Sequence, residues 1–86
     1  MFELVLGEGW DEYFLKLDSS QQERIWKRIQ KLKDLLSTRH LKHGLPFFVL
    51  ETGQYRICYE ENLNIRKIRF AGTHKQYEKW YKNIVS

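Results

Sequence analysis

The chain of 86 residues has room for one domain around a modest core, and the predicted domain is 1–86. Its 42% hydrophobic and 15% aromatic content excludes a disordered chain, and its longest apolar run, Leu45 to Leu50 with Pro46 inside it, is too short to span a membrane. The net charge of +4 suits a polyanionic partner, nucleic acid above all, and suits equally a soluble domain with a basic surface.

Phe2, Leu4 and Leu6 alternate with Glu3 and Val5, which predicts a strand ended by Gly7 and Gly9. Trp10, Phe14 and Leu17 then recur at spacings of four and three, the pattern of a short amphipathic helix. Ser20-Gln21-Gln22-Glu23 reads as a capping box. Behind it Ile25, Ile29, Leu32 and Leu36 trace one stripe, and Arg24, Lys27, Arg28, Lys31 and Lys33 fill the other face, predicting a long helix over 19–36. Only Asp18 and Ser19 separate the two helices, so they are expected to pack as a helical hairpin with Phe14 and Trp26 as contacts for a partner. Residues 37–46 read as a basic loop. Strands follow at 47–51, 54–60 and 65–71, joined by turns at Thr52-Gly53 and Glu61-Asn62. Thr73-His74-Lys75-Gln76 is a second capping box, opening a terminal helix whose stripe is Tyr77, Trp80, Tyr81 and Ile84. The expected fold is α+β, in the order β-α-α-β-β-β-α. A helical hairpin and a C-terminal helix pack on a small, mainly antiparallel four-stranded sheet. The helices are expected to cover one face of that sheet and leave the other concave and open.

Alternation along residues 55–60 places Tyr55, Ile57 and Tyr59 on the covered face and Arg56, Cys58 and Glu60 on the open one. Arg56 is there either a fork for a phosphate or the local charge partner of Glu60 or Glu51. On the next strand Ile68 and Phe70 are read as core-facing, so Lys67 and Arg69 either extend a positive field beside Arg56 or blunt an edge. His74 and Lys75 stand at a helix start, where unpaired N–H groups attract anions. His74 is either a general base or acid near a phosphate or a surface histidine. Tyr77 belongs to an apolar stripe and either packs or shows its hydroxyl to the groove. Arg39, His40, Lys42 and His43 form either a solvated loop or a patch that follows a nucleic-acid backbone. Cys58, the single cysteine, excludes an internal disulfide and reads as a small packing residue. No Cys/His set has zinc spacing, and no Walker loop, dinucleotide fingerprint or Ser-His-Asp order is present, so neither a metal nor a cofactor is expected. The start Met-Phe-Glu-Leu-Val-Leu lacks the basic and apolar parts of a signal peptide, and a cytoplasmic location is expected.

These residues resemble a known family. The run HLKHGLPFFVLETGQYRICYE looks like the Leu-Lys-Gly, strand, Gly-x-Tyr-Arg pattern of the RelE/ParE toxin superfamily, and FAGTHKQYEK is similar to the Gly-Thr-His-x-x-Tyr close of HigB-like members. The resemblance covers essentially the whole chain. It implies a type II toxin that cleaves mRNA in the ribosome and is silenced by a cognate antitoxin. The implied chemistry is attack of a ribose 2′-OH on the adjacent phosphate. By position, Arg56 corresponds to the family's strand arginine, His74 to the basic position after the last strand, Tyr77 to the terminal tyrosine, and Lys42 to the basic residue of Leu-Lys-Gly. His43, Lys67, Arg69 and Lys75 are the further RNA-binding candidates. The chain departs from the pattern in having no terminal His-Tyr pair and no arginine directly after Gly72. A ParE-like member would share the fold and act on DNA gyrase without cutting RNA, and a nucleic-acid-binding module with no toxin role would share the basic surface.

Overall fold

The computed structural model describes residues 2–34, 39–40 and 46–85. Its strands are β1 (Glu3–Leu6), β2 (Arg39–His40), β3 (Phe48–Thr52), β4 (Tyr55–Asn62) and β5 (Ile65–Thr73), and its helices are α1 (Ser19–Gln30) and α2 (His74–Val85). They build one sheet of five strands in the order β1-β5-β4-β3-β2. The meander β3-β4-β5 is antiparallel as expected, β1 lies parallel to β5, and the two-residue β2 adds a fifth strand within the region read as loop.

The chain between β1 and α1 is not the helix expected over 10–17. It is a run of turns closed by a single 3-10 turn at Phe14–Lys16. Two glycines explain the difference. Gly7 lies so close to β5 that a Cβ there would stand 2.7 Å from the Ile68 carbonyl oxygen, and Gly9 has a left-handed backbone, φ 79°. Too few residues remain before Asp18 for a helix to repay its nucleation. Phe14 still reaches the core, which leaves little of it for a partner to touch, whereas Trp26 stays exposed beside Trp10, ring centroids 6.1 Å apart.

α1 is capped two residues earlier than Ser20 and Glu23 suggest. Gln21 N donates to Asp18 Oδ1 at 2.8 Å and Asp18 N donates to Gln21 Oε1 at 3.4 Å. A charged carboxylate is the stronger acceptor for the helix N–H groups and also favours the positive end of the dipole. Glu23 instead pairs with Lys27 at 3.3 Å. At its other end α1 tightens into a 3-10 turn at Lys31–Lys33 and stops, with Asp34 extended. The stop short of the expected residue 36 coincides with Arg66 of β5. Its Nη1 donates to the carbonyls of Leu32 (3.1 Å) and Asp34 (3.0 Å), and its Nε pairs with Glu61 at 2.9 Å. The guanidinium lies 3.8 Å from the ring centroid of Phe2 and 5.0 Å from that of Tyr59. A buried cation thus satisfies carbonyls that the end of a helix leaves open.

Both faces of the sheet are covered. Ile25, Ile29 and Leu32 pack with Ile57, Tyr59, Ile68 and Ala71 on one face. On the other, Phe47, Val49, Cys58 and Phe70 lie under Tyr77, Trp80, Tyr81 and Ile84 of α2. The open concave face is therefore corrected: α2 crosses to the side opposite α1 and buries Cys58 completely. A register shift between Cys58 and Tyr59 pairs Cys58 with Phe70 and Tyr59 with Ile68, leaving Arg69 as the extra residue. The bulge sends Ile68 and Phe70 to opposite faces although they are two residues apart, which overturns their assignment to a single core. No helix among the described residues is long and apolar enough to cross a membrane, which says nothing of β-barrels.

Candidate functional site

The sheet ends at the β3–β4 turn. Gly53 takes φ 60° there, and among the two loop residues Gly53 and Gln54 only the first is left-handed, as in a type II′ hairpin. Arg56 stands just inside, opposite Glu51 on β3 and Gly72 on β5. Its Nη1 donates to the carbonyls of Gly53 and Tyr55, both at 2.8 Å, and its Nε lies 3.3 Å from Glu51 Oε2. The side chain is 15% exposed. The pairing with Glu51 is thus present, and it fixes the guanidinium against the turn. Of the five donors of an arginine, the two on Nη2 have no partner among the described residues.

His74 follows Thr73, whose register partner is Tyr55, so α2 starts beside the same turn. The capping box read from Thr73 and Gln76 is present: Thr73 N donates to Gln76 Oε1 at 2.9 Å, and Gln76 N donates to Thr73 Oγ1 at 3.2 Å. His74 N donates to the Gln54 carbonyl at 2.7 Å. These bonds consume most of the N–H groups that were expected to attract an anion, so the helix start offers side chains rather than backbone. His74 Nε2 lies 3.1 Å from Glu78 Oε1, one helical turn on, with both side chains about half exposed. Nδ1 is left without a partner among the described residues. His74 and Lys75, with Gln54 and Thr73, line a pocket of about 370 Å3. Arg56 is not part of its wall.

Tyr77 stacks on His74, ring centroids 6.4 Å apart at 28°, and packs edge-on against Phe70 in the core under α2. The structure brings Arg56, His74, Lys75 and Tyr77 to one end of the molecule. Lys67 is not with them. It pairs in register with Glu60, about 13 Å along β4 from Arg56 at about 3.3 Å per residue, and shares a pocket with Glu60 and Glu61. Arg69 pairs with Glu60 at 2.8 Å and lies 5.8 Å from the Phe47 ring centroid, so carboxylates temper the positive field expected of these two residues. Lys42 and His43 lie outside the described residues. Among the described residues, no three His, Cys, Asp or Glu side chains are grouped as metal ligands.

Two features escaped the sequence reading. Glu78 was passed over, although its spacing of four from His74 on a helix is a signal for contact. Gln54 was read only as the first residue of a strand, and it lies in the turn before β4. It lines both the His74 pocket and a groove of about 520 Å3 beneath the basic side of α1. No spacing rule connects residues 24–31 with residue 54, since their proximity is tertiary.

The fold has a solved counterpart. A chain of the crystal structure of the RelB-RelE antitoxin-toxin complex from Methanococcus jannaschii superposes with a TM-score of 0.66 and 16% identity, over 90% of this chain and 98% of that one. At that identity the likeness shows the fold. No protein-family model matches the sequence, and no curated protein matches it significantly.

Proposed function

We propose that this protein is the toxin of a type II toxin–antitoxin pair, an endoribonuclease that cuts mRNA in the ribosome of the cytoplasm and is held silent by its antitoxin. The observation that carries the reading is the gathering of Arg56, His74, Lys75 and Tyr77 at one end of a fold shared with a chain of an antitoxin-toxin complex. Two features favour the toxin side of such a pair: the α+β architecture, and the resemblance of the β4 and α2 motifs to RelE and HigB toxins.

In this reading the Nη2 edge of Arg56 meets a phosphate oxygen, and the turn carbonyls and Glu51 hold the guanidinium in place beforehand. His74, oriented by Glu78 and by the Tyr77 ring, accepts the ribose 2′-OH proton at Nδ1. The 2′-oxygen forms a bond to phosphorus, the bond to the 5′-oxygen breaks, and that oxygen takes up a proton delivered through Lys75. Tyr77 acts as a positioning residue. The test is purified protein added to translating ribosomes with a defined transcript. Cuts within codons, abolished by the antitoxin, support the reading, and intact transcript removes it.

One observation favours a second reading. Glu51 and two carbonyls already engage the Arg56 guanidinium, the arrangement of a purely structural arginine. A ParE-like toxin with this fold would inhibit DNA gyrase and leave RNA whole, and a supercoiling assay run beside the ribosome assay separates the two.

A further inference from the structure

The groove beneath α1 is walled by Arg24, Lys27, Arg28 and Lys31 on one side and by residues 52–55 of the β3–β4 turn on the other. The four cations sit at i, i+3, i+4 and i+7, one face of a helix, while Ile25 and Ile29 on the adjoining face are fully buried and hold that face in place. Among the described residues no carboxylate lines the groove. Lys27 pairs with Glu23, and Arg24, Arg28 and Lys31 have no ion-pair partner among the described residues. Like charges three and four residues apart repel one another along a helix, and a bound polyanion relieves that repulsion.

The dimensions fit a phosphate backbone. Seven residues of helix rise about 10 Å, and a stacked strand carries one phosphate per about 3.4 Å, so the stripe spans about three phosphates. Among the described residues Tyr55 is the only aromatic one in the wall and it is buried, so these residues offer no ring for a base to stack on. Contact is then with the backbone alone and is blind to sequence. An acidic peptide would need apolar sockets for its other side chains, and here the wall consists of cation stems and turn residues. Because Gln54 lines both this groove and the His74 pocket, the two adjoin at one residue.

We propose that the α1 groove is an RNA track that holds about three consecutive phosphates of the strand entering the His74 pocket, through Arg24, Arg28 and Lys31. The inference rests on RNA being the ligand, as in the reading above, but it does not require that the RNA be cut.

The test is binding of a fluorescent single-stranded uridine oligonucleotide, followed by anisotropy across a range of salt. The proteins compared are wild type, the triple variant Arg24→Gln/Arg28→Gln/Lys31→Gln, and the charge-preserving Arg24→Lys/Arg28→Lys. The triple variant is expected to flatten the slope of log affinity against log salt by about two units, at about 0.7 per lost phosphate, while the lysine variant keeps it. An adenosine oligonucleotide should bind equally well. An unchanged slope in a triple variant that melts with wild type overturns the proposal, as does a wild type that binds no RNA. Tighter binding of a polyglutamate peptide than of RNA of equal charge also overturns it, in favour of an acidic protein partner. Ribosomal cleavage measured in parallel separates this inference from the nuclease reading. A flattened slope with a wild type that never cuts keeps the track and removes the nuclease, and normal cutting with an unchanged slope does the reverse.

Discussion

Leu63 holds a left-handed backbone, φ 56°, in the β4–β5 turn, with its side chain 88% exposed. A residue with a Cβ is strained there by about 1–2 kcal/mol, and this one gains no burial in return. Leu63→Gly is expected to raise stability by up to about 1 kcal/mol, after the greater freedom of glycine in the unfolded chain is counted. The melting temperature should then rise by a few degrees, and a fall would show that Leu63 contributes more than its exposure suggests. Arg66 is the opposite case. Its side chain is 3% exposed and serves two carbonyls, Glu61 and two aromatic rings. Arg66→Met should cost on the order of 2–4 kcal/mol, because the carbonyls of Leu32 and Asp34 lose a charged donor. Calorimetry should show a large drop in melting temperature, partly recovered in Arg66→Lys; a variant melting with wild type would mean that water replaces the arginine at no cost. Neither role was legible in the sequence. Arg66 stacks beside Tyr59 on the α1 side of the sheet, but nothing local in the sequence announced that the end of α1 would be its partner.

Elements were legible where a local hydrogen bond decides them. The Thr73–Gln76 box was read correctly because both partners lie in one turn and no other candidate is nearby. At α1 the box read at Ser20 and Glu23 gives way to one two residues earlier, where the charged cap Asp18 pairs with Gln21. The helix expected over 10–17 failed because the apolar spacing was real but served packing of turns, Trp10 and Phe14 lying 4.9 Å apart between ring centroids. Gln76 also donates to the Tyr13 carbonyl at 3.3 Å, tying α2 to that turn segment. Gln76→Ala should therefore destabilise by about 1–2 kcal/mol and increase hydrogen exchange in the first turn of α2. Exchange unchanged from wild type in that turn would show the cap to be dispensable. Gly72 belongs to the same device, since a Cβ there would come within 2.5 Å of Gln76 Oε1.

At the scale of the whole molecule, the helical cover on the second face of the sheet was the main point the sequence concealed. The stripe of α2 was visible, but alternation cannot say on which face a terminal helix lands, and the bulge at Arg69 broke the alternation that the strand reading relied on. The cost to the site reading was specific. With α2 over Cys58, Phe70 and Phe47, the groove expected along the sheet shrinks to its end, where Arg56 meets the turn and His74 begins the helix. Lys67 falls outside that end, and the cations of α1, read only as the face opposite the apolar stripe, stand beside it. The central claim is that this end of the molecule holds a scissile phosphate through Arg56. Single-turnover cleavage of a transcript on programmed ribosomes tests it most directly, with wild type, Arg56→Ala and Arg56→Lys compared and thermal melts run alongside. The account predicts that Arg56→Ala remains folded, with the turn slightly loosened, and cuts about a hundred- to a thousandfold more slowly. Arg56→Lys should recover part of the rate, since an ammonium keeps the charge without the fork. An Arg56→Ala protein that is folded and cuts at the wild-type rate would contradict the claim.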